Sequence, residues 1–192
     1  MQVAVIAPPE EVVTLDEAKR HLRVESGDDD LSIAAYLAAA AGSIDGPAGW
    51  LGRAIGKQVL ELRLDTFPYH CSTGIELPYP PIISVDEIRY RDRSGTEQVM
   101  DAADRRLIGT DSPRLVHDFW QSWPEAHHGP ETVRIRYTAG YEDVPAPIKQ
   151  AILLMLGHWY MNREAVAVGN SVITEMPLGV QALLAPFRVW AL

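Results

Sequence analysis

Residues 145–166 read P-A-P-I-K-Q-A-I-L-L-M-L-G-H-W-Y-M-N-R-E-A-V. Ile148, Ala151, Ile152, Met155, Leu156 and Trp159 recur at i, i+3, i+4, i+7, i+8 and i+11, an unbroken stripe down one helix. Leu153, Leu154 and Met161 widen it, which predicts a helix buried over much of its girth. Pro147 suits the first turn, where a missing N–H costs nothing. A helix this apolar needs other elements wrapped on it. It is the expected core of the fold, and its residues carry no evident chemistry.

Outward from this core, residues 12–53 read as helical. Thr14-Leu15-Asp16-Glu17 is a capping box, with Leu15, Ala18 and Leu22 along one face of the short helix that follows. Asp28, Asp29 and Asp30 place negative charge at the start of the next helix, where the helix dipole favours it. Leu31 to Ile44 is alanine-rich. Leu31, Ala34, Ala35, Ala38 and Ala41, continuing to Ile44, form a small-residue face, with Ile33 and Leu37 beside it. That face suits either subunit packing or packing on the core helix. Asp45-Gly46-Pro47-Ala48-Gly49 reads as a break, the alternative being a helix that runs on to Gly52.

Between residues 55 and 140 the period changes to two. Leu60, Leu62 and Leu64 alternate with charged residues, as in a half-buried strand. Ile75-Glu76-Leu77 is a short strand, and Ser84 to Arg91 is another that turns at Arg93-Ser94-Gly95-Thr96 into Glu97 to Met100. Arg106-Leu107-Ile108 and Arg114-Leu115-Val116 flank a second turn, and Val133, Ile135 and Tyr137 mark the clearest strand. Gly140 is a turn glycine at the junction to the core helix. Turns at this spacing predict a small antiparallel sheet or sandwich. After a break at Gly169-Asn170-Ser171, Val172-Ile173-Thr174 reads as a short strand and Pro177 opens a last helix through Leu184. The expected class is α+β. A helical core (residues 1–54 and 141–170) is interrupted by a β-rich insert (55–140) and followed by a C-terminal tail (171–192).

Bulk composition excludes several classes. The 192 residues are 47% hydrophobic and 22% charged, ordinary for a globular protein with a real core. A net charge of −9 argues against a nucleic-acid-gripping surface, which needs clustered Lys and Arg. Cys71 is the sole cysteine, so no intramolecular disulfide or multi-cysteine zinc site can form, and the chain reads as cytosolic. Val3 to Ala7 is apolar but lacks the basic flank and length of a signal peptide, and no run is long enough to span a membrane.

The candidates for chemistry are sparse. Asp28 to Asp30 lack the spacing of a calcium loop. His127 and His128, with His117 or Glu125, are candidate metal ligands, but they sit in a Pro- and Gly-rich loop without an H-E-x-x-H helix. His158 has no nucleophile or carboxylate at helical spacing. Cys71 lacks a basic cluster that would lower its pKa. Neither a phosphate loop nor a G-x-S-x-G elbow occurs. Arg163 and Glu164, which close the core helix, are candidates for an ion pair or a subunit interface.

Taken in order, Val13-Thr14-Leu15-Asp16-Glu17-Ala18-Lys19-Arg20-His21-Leu22-Arg23-Val24, the acidic Asp28 to Asp30 and the Ala-rich helix resemble the opening of phage head–tail connector (adaptor) proteins. Ile75 to Pro78 and Pro81 to Val85 look like the insert of their longer members. Tyr137-Thr138-Ala139-Gly140-Tyr141, Val144-Pro145 to Leu154, His158-Trp159-Tyr160 and Asn162-Arg163-Glu164 continue the resemblance, which covers about residues 12–166. It implies a structural protein without catalysis or cofactor. Such subunits form a ring, commonly of about twelve copies, below the portal at the capsid's exit vertex. The ring extends the DNA channel and docks the tail or a stopper, in tailed phages, prophages or gene transfer agents. The expected place is the host cytoplasm during assembly and then the particle neck, with no membrane. Partners would be the portal protein, a tail or stopper protein and further copies of the chain, with DNA passing through unbound. The C-terminal segment would reach the portal, with Phe187, Val189, Trp190 and Leu192 as apolar anchors. The acidic balance suits a channel wall that should not hold phosphates. The competing readings are a metal-assisted hydrolase using His117, His127, His128 and the aspartates, and a general protein-interaction module built on the β-rich insert.

Overall fold

The computed structural model describes residues 2–68, 74–100, 105–117, 122–162 and 178–189. The class is α+β. The chain divides into two compact units, Met1–Glu10 with Arg53–Glu142, and Glu11–Gly52 with Asp143–Leu192.

The first unit is β-rich. Its strands in chain order are β1 (Gln2–Ala7), β2 (Gln58–Leu64), β3 (Ile75–Glu76), β4 (Ile82–Arg91), β5 (Glu97–Val99), β6 (Arg105–Ile108), β7 (Arg114–His117) and β8 (Val133–Ala139). An antiparallel sheet runs β1-β2-β8-β4-β5, and a second runs β3-β7-β6. Both hairpins expected from turn residues form, β4 with β5 and β6 with β7. β1 was not anticipated. Val3 to Ala7 lies in the residues assigned by sequence to the helical core, yet it pairs with β2. A five-residue apolar run is too short to show a strand period, and its partner β2 lies far along the chain.

Strand β8 is central because it alternates cleanly. Tyr137 stands between Leu60 and Val85, and Ile135 between Leu62 and Ile88, all directed to one face. Leu60, Leu62, Ile88, Ile135 and Tyr137 are fully enclosed together with Leu77 and Leu115. Each such side chain contributes about 1.5–3 kcal/mol on burial. Phe67 stacks on Trp123 at 5.0 Å and meets Tyr90 edge-on at 5.5 Å. The enclosed Tyr137 hydroxyl donates to the Pro78 carbonyl at 2.9 Å, and burial raises its pKa. At the end of β8, Gly140 has φ +126°, and a Cβ there would lie 2.5 Å from the Gly56 carbonyl oxygen. Only glycine fits both the dihedral and the approach.

The second unit is helical: α1 (Leu15–Leu22), α2 (Asp30–Ile44), a 3-10 turn at Gly46–Ala48, α3 (Ala146–Met161), α4 (Leu178–Leu184) and a 3-10 turn at Ala185–Phe187. The capping box forms. Thr14 Oγ1 accepts from the Glu17 N–H at 3.3 Å, and Glu17 accepts from the Thr14 N–H at 2.9 Å. Helix α2 stops at Ile44, so the continuation to Gly52 does not occur. The predicted stripe of α3 buries Ile148, Ala151, Ile152, Met155 and Leu156, with Trp159 half-buried. Leu154 and Met161 do not widen the buried stripe. They are 38% and 79% exposed, because the helix packs on one side only. Of the two dispositions open to the small-residue face of α2, packing on the core helix is not the one most of it takes. Ile33, Leu37, Ala40 and Ile44 are enclosed, whereas Leu31, Ala34, Ala35 and Ala38 are exposed. Among the described residues no helix is long and apolar enough to cross a membrane.

Candidate functional site

The segment expected to dock a partner begins with α4, which packs against α3 and buries Val180 and Leu184. Beyond it the backbone turns onto its own unit. The Val189 N–H donates to the Leu51 carbonyl at 2.9 Å. Gly52, with φ +64°, leaves the space, since a Cβ there would come within 3.1 Å of the Val189 oxygen. The Arg188 guanidinium lies 4.2 Å from the centre of the Trp50 ring, a cation–π contact. Phe187 and Val189 are therefore half-buried on the helical unit. Trp190, Leu192, Arg163 and Glu164 lie outside the described residues, as do Cys71 and the Val172 to Thr174 strand.

The more open surface is on α2. From Leu31 to Ile44 this helix carries no charged side chain. Leu31 is 88% exposed, and Gly42 faces open space. Met161 on α3 and Leu178 on α4 are 79% and 78% exposed. Leu31, Met161 and Leu178 are each a large apolar side chain left open to solvent on the helical unit. The sequence reading names Leu31 and Met161 and does not single out Leu178.

The acidic run at the start of α2 is used in structure. Asp30 pairs with Lys19 at 2.6 Å, and Asp29 accepts from the Tyr160 hydroxyl at 2.5 Å, tying the end of α3 to the start of α2. Asp29 stands at the N-cap position, but its side chain makes no cap hydrogen bond. A shallow cleft of about 330 Å³ between α1 and α3 is lined by Val13, Glu17, Arg20, His21, Lys149 and Leu153. Glu17 in its wall is held below the usual carboxylate range, first by the Thr14 N–H.

The residues of the hydrolase reading are not brought together. Among the described residues no three His, Cys, Asp or Glu side chains are grouped to hold a metal ion. His127 and His128 are exposed in their loop. His117 lies edge-on to Trp123 at 4.2 Å, with both ring nitrogens buried and without a hydrogen-bond partner. His158 is exposed and sits beside the Asn162 amide.

What the described residues offer is an α+β fold with large apolar side chains left exposed on its helices, as in the class of structural assembly subunits. Comparison with known proteins makes the class specific. The family model described as head completion protein matches residues 11–189, and the chain belongs to the head completion protein family. It is a structural protein of the head–tail connector type. Among solved structures it is similar to a chain of the neck of an empty gene transfer agent particle computed with C6 symmetry. The TM-score is 0.77 at 25% identity, covering 100% of this chain and 97% of that one. A chain of the virion of a native gene transfer agent particle gives TM-score 0.77 at 24% identity, with the same coverage. A chain of the native particle's neck computed with C12 symmetry gives 0.75 at 24%, again with 100% and 97% covered. No curated protein matches.

Proposed function

We propose that this chain is the head–tail adaptor subunit of a tailed particle, forming a ring of about twelve copies below the portal. The ring extends the DNA channel and joins capsid to tail, and it does so without catalysis. The observation that carries the reading is similarity over the whole chain to a neck protein, together with a family match that covers nearly all of it. The uncharged, solvent-facing side of α2 supports it, since ring contacts need surface that one subunit leaves uncovered. The net charge of −9 suits a wall along which DNA slides. In this reading residues 177–192 meet the portal, with Trp190 and Leu192 as apolar anchors beyond Phe187 and Val189. Arg163 and Glu164 contribute to contacts between copies.

The test is light scattering of the purified chain, alone and mixed with a portal ring from the same source. Many copies bound per portal, lost on deleting residues 177–192, is the expected result. Absence of association with the portal overturns the adaptor role. Association that survives the deletion moves the portal contact to another part of the chain.

A further inference from the structure

The chain is held less firmly after Leu184 than before it. Helix α4 encloses Val180 and Leu184 completely. Beyond it Ala185 and Pro186 are exposed, and Phe187, Arg188 and Val189 are each half-buried. Their seat is residues 50–52, and the seat itself is fixed. The Trp50 N–H donates to the Ser43 carbonyl at 3.0 Å and the Leu51 N–H to the Ile44 carbonyl at 3.4 Å, both at the end of α2. On this seat lie the Val189 N–H, bonded to the Leu51 carbonyl, and the Arg188 guanidinium over the Trp50 ring. Contacts of these two kinds are individually weak. Segments whose contacts are few and partly solvated open at a lower free energy than the enclosed core.

We infer that residues 185–189 are a latch, seated on residues 50–52 in the free subunit and released when the tail meets the portal. The inference rests on the adaptor reading and deepens it, because that reading makes Phe187 and Val189 portal anchors. An apolar anchor delivers its binding energy when a partner's pocket encloses it. In the seated position part of each side chain is already covered by the subunit itself. α4 is therefore the fixed end of the tail, and residues 185–189 are the end that moves. The latch keeps the apolar tail of the free subunit occupied until a partner with higher affinity for the open form arrives. The portal then binds with its intrinsic affinity scaled by the open fraction.

A Cβ at Gly52 would lie 3.7 Å from the Val189 Cβ, a separation that a disulfide spans. The experiment uses the full chain carrying Gly52→Cys and Val189→Cys, with Cys71→Ser to remove the sole native thiol. Binding to the portal ring is compared between the oxidised and reduced forms of this one chain, so the effects of the substitutions themselves cancel. The oxidised form should bind about tenfold or more weakly, and reduction should restore binding. In the wild-type chain the Val189 amide should be protected from hydrogen exchange about tenfold or more less than the Leu184 amide. Equal binding by the two redox forms, or equal protection of the two amides, would overturn the latch. If no form binds the portal, the wild type included, it is the adaptor reading that fails, and amide exchange alone decides whether the segment opens.

Discussion

The two units of this chain treat their apolar residues differently. In the β unit nearly every large apolar side chain of the central strands is turned inward, and Leu60, Leu62, Ile135 and Tyr137 are completely enclosed. In the helical unit the core is comparable, yet Leu31, Met161 and Leu178 are left almost bare. The first unit leaves its apolar exposure on edge strands, where Val5, Ile6, Val99 and Ile108 are 43–61% exposed. The second leaves a few apolar side chains more open still, on its helices.

Substitutions should separate the two behaviours, and the largest effects belong to the closed core. Leu60→Ala should cost about 2–5 kcal/mol in urea unfolding, since a fully enclosed leucine leaves a cavity. A smaller loss would mean that the β unit is less closed than its burial implies. Gly140→Ala should cost about 1–3 kcal/mol in the same assay, through a strained dihedral and a clash with the Gly56 backbone. In the helical unit, Thr14→Ala should remove about 1 kcal/mol by opening the capping box. At the small end, Leu31→Ser should change the stability of the free chain by about 0.5 kcal/mol or less. It should nonetheless weaken contacts between copies, read as fewer copies bound per portal ring. A large stability loss there would place Leu31 within the folded core and collapse the contrast.

Acid sharpens the comparison further, because each unit has a depressed carboxylate. Asp92 accepts from the Ser94 and Gln98 side chains and from the Ser94 and Thr96 N–H groups, which hold its pKa at about 2. Glu17 is lowered by the Thr14 N–H first. A folded pKa below the unfolded one gives stability that is present above the ordinary carboxylate value and lost as pH falls through the folded value. The Ser94 and Thr96 amide signals should therefore hold their folded positions down to about pH 3 and move only near pH 2. Movement already complete at pH 4 would contradict the turn geometry.

Much of this was legible in the sequence, and the exceptions have physical causes. Val133, Ile135 and Tyr137 announced the central strand because period two in one face leaves no alternative. The capping box and both hairpins are local chemistry, readable from a few neighbours. The packed side of α2 was left between two readings, because beyond Asp30 the helix is uncharged and offers little polar contrast to mark which face meets water. β1 is a strand only because β2 lies beside it. Of the proposed docking residues, Phe187 and Val189 gave an apolar signal that the fold shares between its own helical unit and solvent.

The order of the sheet also governs how the chain is made. β1 is synthesised early, but its partner β2 follows only after α1 and α2 have been produced. β8, which joins the β1-β2 pair to the β4-β5 pair, is the last of the described strands to appear. α3 comes later still, and α1 and α2 both pack against it. The β unit is whole only once Glu142 has been made, and the helical unit only with residues 143–192. A ribosome stalled before β8 would carry unpaired strand edges and uncovered helices together, so nascent chains of this protein should be unusually dependent on holding factors.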